Sequence, residues 1–292
     1  MSSQFSMAKL LRATNNFSSD MIIGYGDCFL LYKAQLSNGL TVAIKKLDPR
    51  EFPGFREFRA EVETLGKLRH PNIVKLLGYS SVGHFVYEYI ERGDLHCLLH
   101  DSEVRDNSLP WETRFQIVRG VADGLAYLHG LETPIVHRDI RAKNVLLDLE
   151  FQPHITNFGL ARRIESQHSH VSTCTDGAIA YMPPEYLVGC NVATLKGDVF
   201  SFGVLMLEIA TGRCPSLLNE LNGKKRGLVE WAKRMITSNR QMEMVDSRIL
   251  RQDLDKVIVE QYMSIACLCT FNNDKGRPPM REVVELLNEL SM

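Results

Sequence analysis

Short runs of β-branched and aromatic residues mark the first third of the chain. Thr41-Val42-Ala43-Ile44 and His84-Phe85-Val86-Tyr87 read as strands, set apart by turn signals such as Ser37-Asn38-Gly39. Between them, residues 55–68 place Phe58, Val62, Leu65 and Leu68 three and four apart with charges on the opposite face, which predicts one amphipathic helix. After Glu91-Arg92-Gly93 the period lengthens, and helical patterns cover 111–129, 199–211, 228–238, 257–270 and 281–290. A small sheet with one packed helix, followed by a mostly helical part, is the predicted organisation. The change of pattern around residues 87–93 reads as the boundary, and no internal repeat or low-complexity segment is apparent.

Composition supports a globular chain: 292 residues, 45% hydrophobic and 24% charged, enough to bury a full core. A formal net charge of −1 gives no broad electrostatic reason to expect nucleic acid or an anionic membrane as partner. The local basic run Lys224-Lys225-Arg226 reads as solvated loop. Seven cysteines, Cys28, Cys97, Cys174, Cys190, Cys214, Cys267 and Cys269, are scattered without metal-site spacing and read as reduced thiols of a cytosolic setting. The most apolar stretch, 199–210, is too short to cross a bilayer and contains Ser201 and Glu208, so no membrane insertion is expected of this chain. A cytoplasmic domain cut from a membrane receptor would have the same character.

Candidate chemistry begins at Ile23-Gly24-Tyr25-Gly26-Asp27-Cys28-Phe29-Leu30-Leu31-Tyr32. Two glycines here have the spacing that lets a hairpin turn approach phosphates through its backbone amides. Alone this is weak. It is followed by Lys45 at the end of the strand Val42-Ala43-Ile44, and then by Glu61 on the amphipathic helix. Singly, Lys45 and Glu61 would pass for surface charges. In this order they become a strand lysine that contacts nucleotide phosphates and a helix carboxylate that holds it. A dinucleotide-binding reading fails because the glycine loop leads into another strand rather than a helix.

His137-Arg138-Asp139-Ile140-Arg141-Ala142-Lys143-Asn144, followed by the apolar Val145-Leu146-Leu147, is the most specific segment. At this point the chain resembles the protein kinases, whose loop aspartate orients and deprotonates a substrate hydroxyl while the asparagine five residues on coordinates metal. Asp139 and Asn144 match those positions. Asn157-Phe158-Gly159, Pro183-Pro184-Glu185, the segment 197–203 and Gly276-Arg277-Pro278 follow in family order, so the resemblance spans about residues 17 to 290. Ala13-Thr14-Asn15-Asn16-Phe17-Ser18, Gly78-Tyr79 and Val86-Tyr87-Glu88-Tyr89 are similar to the plant leucine-rich-repeat receptor-like kinases of serine/threonine type.

The resemblance implies an α+β, bilobal protein-kinase fold: a flanking segment at 1–20, a β-rich N-lobe at 21–86, a hinge at 87–93 and a helical C-lobe at 94–292. It implies ATP with magnesium or manganese as cofactors. Ile23, Gly24, Gly26, Leu31, Ala43, Lys45, Tyr87, Glu88, Ile90 and Leu146 would face the nucleotide, with Tyr87 as gatekeeper and Glu88 to Ile90 as the adenine-facing hinge. Asp139, Lys45, Glu61 and Arg141 would be the catalytic set, and Asn144 and Asn157 the metal positions. Glu185 with Arg277, and Asp198 beneath the catalytic loop, would be architecture, while Leu65, His137 and Phe158 resemble the apolar stack of the family. Partners would be other receptor-like kinases or signalling proteins, and the location the cytoplasmic side of the plasma membrane or the cytoplasm.

Several positions depart from the family pattern. Asn157 replaces the aspartate that is the principal metal ligand, removing a Coulomb attraction of order several kcal/mol even at an effective dielectric of ~20. Phe29 stands at the third glycine and Cys28 at the preceding aromatic. Phe29 could turn outward or into the pocket, and the sequence leaves both open. Ala178 lacks the hydroxyl that would bond the catalytic aspartate, and Arg141 replaces a lysine, keeping charge but changing donor geometry. Arg138 could pair with a phosphorylated loop carrying Ser166, Ser169, Ser172, Thr173 and Thr175. His168 and His170 read as solvated loop rather than metal ligands. Two readings remain open: a pseudokinase with impaired phosphotransfer that acts through partner kinases, and an active ATP-dependent protein kinase that tolerates Asn157.

Overall fold

The computed structural model describes residues 3–26, 29–48, 56–101, 109–164, 179–187, 194–221 and 223–290. The backbone divides into two compact units, Met1–Glu91 with Thr156–Ala161, and Arg92–Ile155 with Arg162–Met292.

In the first unit a sheet is built from β1 (Ser3–Gln4), β2 (Ile22–Gly26), β3 (Phe29–Gln35), β4 (Thr41–Leu47), β5 (Leu76–Ser80) and β6 (His84–Glu88), in the spatial order β1-β5-β6-β4-β3-β2. β2 to β6 pair antiparallel and β1 adds parallel to β5. Helix α1 (Met7–Ala13) precedes β2, and α2 (Arg56–Leu65) lies between β4 and β5. Alternation on β3 and β4 sends Tyr32, Ala34, Val42 and Ile44 to one face, where they close a core with Leu10 of α1 and Val86. Fully burying such side chains is worth about 1.5–3 kcal/mol each. Phe17 seals that core edge-on against Tyr32 and stacked on His84, so residues 3–17 cover the sheet rather than merely preceding it. α2 ends short of the span expected from sequence, because the helical ladder closes at Gly66 and Leu68 bonds in a tighter turn to Leu65.

The second unit is largely helical: α3 (Leu95–His100), α4 (Trp111–His129), α5 (Pro184–Leu187), α6 (Leu195–Thr211), α7 (Leu228–Thr237), α8 (Gln241–Met244), α9 (Lys256–Cys269) and α10 (Met280–Glu289). Short two-stranded pairings accompany them: β7 (Ile135–Val136) with β10 (Arg162–Arg163), β8 (Val145–Leu147) with β9 (Pro153–Ile155), and β11 (Asn219–Leu221) with β12 (Lys224–Arg226). Helix α6 is buried from Gly197 to Thr211, as an apolar helix without a polar face must be. It starts earlier than its apolar pattern because the Thr194 hydroxyl caps Gly197 N–H at 3.0 Å, and it stops at Gly212, whose φ of 63° suits glycine. Among the described residues no helix is long and apolar enough to cross a membrane. Cys97, Cys214, Cys267 and Cys269 are free.

Candidate functional site

Strand alternation decides which side chains of β4 can do chemistry. Val42 and Ile44 go to the core behind the sheet, leaving Ala43 and Lys45 on the other face. Lys45 Nζ donates to Glu61 Oε2 at 3.1 Å, and both groups are buried. The other oxygen, Glu61 Oε1, accepts from the Tyr87 hydroxyl at 2.5 Å. Burial, and then the adjacent Glu61 charge, push the Tyr87 hydroxyl well above the usual tyrosine range, so it remains a donor. Lys45 Nζ also donates to Asn157 Oδ1 at 3.5 Å, and Asn157 holds the left-handed conformation at φ 66° that asparagine tolerates. Phe158 and Leu65 are fully buried in the same unit.

The Tyr87–Glu61 bond was not anticipated from sequence, which placed Tyr87 only as a gatekeeper. A signal was present, since a buried tyrosine needs a partner for its hydroxyl, and β6 sets Tyr87 opposite Ala43 beside the lysine strand.

The glycine strand answers the question of Phe29. Gly26 lies opposite Phe29 and Gly24 opposite Leu31. A Cβ on Gly26 would clash with Phe29 Cε1, so the ring lies folded across this glycine. Its centroid is 4.9 Å from Lys45 Nζ, a cation–π distance. Phe29 therefore turns inward, over the lysine. Of the other residues expected to face a nucleotide, Ala43 and Ile90 are buried, Leu31 and Glu88 half-buried and Ile23 exposed. Glu88 is tied to the neighbouring strand, its Oε1 accepting from Lys75 N–H at 2.7 Å and its own N–H reaching Lys75 O at 3.1 Å.

In the second unit, Asp139 is buried with both carboxylate oxygens engaged. Oδ1 lies 3.0 Å from Arg141 Nε, and Oδ2 accepts from Asn144 Nδ2 at 2.7 Å. Asn144 Nδ2 also reaches Asp139 O at 2.8 Å, and Asp139 N–H donates to His137 Nδ1 at 3.2 Å. Asp198 of α6 accepts from the backbone N–H of His137 at 2.7 Å and of Arg138 at 2.8 Å, and pairs with His129 Nε2 at 3.1 Å. Those bonds hold Arg138 at φ 73°, a conformation costing of order 1–3 kcal/mol in a non-glycine residue. Arg277 forks onto Glu185 with two 2.7 Å bonds, the architectural pair the resemblance implied. Leu146 is half-buried on β8.

Over residues 19–287 the sequence matches the family described as protein tyrosine and serine/threonine kinase. The chain belongs to the protein kinase family. It is 43% identical over 281 residues to the leucine-rich repeat receptor protein kinase MSP1 of Oryza sativa subsp. japonica, covering 94% of this chain and 22% of that protein. It is 40% identical over 292 residues to phytosulfokine receptor 2 of Arabidopsis thaliana, covering 98% of this chain and 28% of that protein. This kinase domain thus spans about a quarter of the length of the curated relatives it matches.

Kinases of this family generally use ATP and a divalent cation. At both expected metal positions this kinase domain offers a neutral amide: Asn144, whose Nδ2 is committed to Asp139, and Asn157, whose Oδ1 accepts from Lys45. Magnesium favours charged oxygen ligands and dehydrates reluctantly. Neither amide brings the negative charge that strengthens a hold on a divalent cation. Asp27, Cys28, Ala178, His168, His170 and the loop hydroxyls Ser166, Ser169, Ser172, Thr173 and Thr175 lie outside the described residues.

Proposed function

We propose that this kinase domain is a pseudokinase signalling module, a kinase-shaped switch that binds nucleotide weakly and acts through partner receptor-like kinases. The observation that carries the reading is the Phe29 ring, 4.9 Å over the ammonium of Lys45, the group expected to receive nucleotide phosphates. A ring cannot stay there while phosphate oxygens reach the same ammonium. The neutral Asn157 supports the reading independently, because phosphoryl transfer depends on neutralising charge between the β- and γ-phosphates. In this proposal Lys45, Glu61, Asp139, Asn144 and Arg141 are retained as scaffold. Asn144 donates to one oxygen of Asp139 and Arg141 pairs with the other, which fixes the carboxylate in place. The proposed setting is the cytoplasmic face of the plasma membrane within a receptor, with a nucleotide-binding lobe at 21–86, a hinge at 87–93 and a helical lobe at 94–292.

A second reading, an active protein serine/threonine kinase, is favoured by one observation: the Lys45–Glu61 pair, which active kinases require, is formed at 3.1 Å. The deciding experiment measures γ-phosphate transfer to a generic substrate and to the protein itself, with magnesium and with manganese. Transfer at background level is expected. Robust turnover that disappears in Asp139→Asn would overturn the pseudokinase proposal. A thermal-shift titration with ATP tests binding separately, with a small shift expected.

A further inference from the structure

Helices α3 and α6 bring together three ligating side chains that phosphoryl transfer does not use. His96 and His100 stand one turn apart on α3, so their rings share a face with centroids 4.7 Å apart. Glu208, from the interior of α6 and 0% exposed, directs Oε1 at His100 Nε2, 2.8 Å away, and at His96 Nδ1, 4.0 Å away. One ligand atom from each of the three lies within 4.8 Å of the other two. Glu208 Oε2 accepts from the Tyr181 hydroxyl at 2.5 Å. The carboxylate is thereby oriented by a partner outside the ligand set, as in established metal sites.

Among the described residues, the partners of Glu208 are two imidazoles and a phenol, with no lysine or arginine bonded to it. A neutral imidazole offers a lone pair to a metal. The side chains of His96 and His100 are 28% and 15% exposed, so one edge of the cluster is open to solvent.

We propose that His96, His100 and Glu208 form a binding site for a first-row transition cation of the zinc class, with solvent as the fourth ligand. Two nitrogens and one oxygen select such a cation over magnesium or calcium, which prefer all-oxygen surroundings. Bond lengths of about 2.0–2.2 Å in a tetrahedron set ligand atoms roughly 3.3 Å apart, so His96 moves about 0.7 Å towards Glu208 and up to about 1.5 Å towards His100, while His100 moves outward by about 0.5 Å. Because metal ligands must be deprotonated, affinity falls as pH drops. An occupied site would tie α3 to α6 and, through Tyr181, to the short turn Ile179–Tyr181.

The test uses the full chain, stripped with a chelator and titrated with cobalt and zinc at neutral pH. One equivalent of cobalt should bind with the ligand-field bands of tetrahedral coordination and without a thiolate charge-transfer band. Zinc should displace it and raise the melting temperature by roughly 4–5 °C at about 100-fold excess over Kd. His96→Ala removes a half-exposed ring that is 4.0 Å from Glu208, and the chain should fold normally while binding metal at least ~10-fold more weakly. Cys97→Ser, on the same helix, should change neither signal. Absence of cobalt bands, a thiolate band, or equal affinity in His96→Ala would each overturn the proposal.

Discussion

Replacing Phe29 by glycine should tighten ATP binding, and the size of the effect follows from what the ring does. Lys45 is only 9% exposed, so its contact with a ring centroid at 4.9 Å is largely desolvated, which puts it at about 1–2 kcal/mol. The half-buried ring adds about 1 kcal/mol of apolar burial. A nucleotide that displaces the ring must therefore offset about 2–3 kcal/mol, or roughly 30- to 150-fold in Kd. Glycine removes that obstacle but gives back about 0.5–1 kcal/mol as extra freedom of the unliganded strand. The net expectation for Phe29→Gly is a gain of about 1–2 kcal/mol, or roughly 5- to 30-fold tighter binding. Isothermal titration with ATP in the absence of divalent cations isolates this contribution, because the Asn157 position is then equally unengaged in both proteins. Phe29→Leu keeps bulk without a π face and should fall between the two. If Phe29→Gly leaves Kd within about twofold of the parent, the ring does not compete with phosphate and the argument fails.

Tyr87→Phe removes a 2.5 Å bond to a buried carboxylate and should destabilise the fold by about 1.5–3 kcal/mol in urea unfolding; a change below experimental error would mean that Glu61 does not depend on that hydroxyl. Asp198→Ala strands the N–H groups of His137 and Arg138, and loses what holds Arg138 at φ 73°, for a cost of about 3–5 kcal/mol seen as a lowered melting temperature. His84, 4% exposed and depressed from 6.5 to about 4 by burial and then by Lys46, must stay neutral in the folded state. Its unfolded form binds a proton first, so its contribution is complete above pH 6.5 and drains away as pH falls towards 4. After discounting for solvent screening this is about 1–2 kcal/mol, and a His84→Gln protein melted across the same pH range should lose that part of the slope.

Periodicity reports which side of an element faces inward, and those parts of this kinase domain were legible. Helix α4 covers the stretch its apolar spacing predicts, and the β4 alternation separates Val42 and Ile44 from Lys45 without reference to any other segment. What a buried polar group bonds to is a different kind of information, because it depends on where remote segments meet. Tyr87 was visibly apolar in its surroundings and visibly in need of a partner. Its choice of Glu61 depends on the β4–β6 register and on the angle at which α2 crosses, neither of which any local pattern encodes. Residues 3–17 were read as a flank because one short helix with a single buried leucine has too few apolar positions to display a period. Its role emerges only when Leu10 and Phe17 meet Tyr32 and His84. His100 and Glu208 are 108 residues apart, so no spacing rule could join them. Phe29 is the instructive middle case, since the substitution was evident and its direction was not. The strand pairing that sets Phe29 against Gly26 leaves the ring a gap that only a missing Cβ provides, and Lys45 supplies the charge that draws it in. The glycine that would ordinarily admit a phosphate here admits a side chain of the same protein.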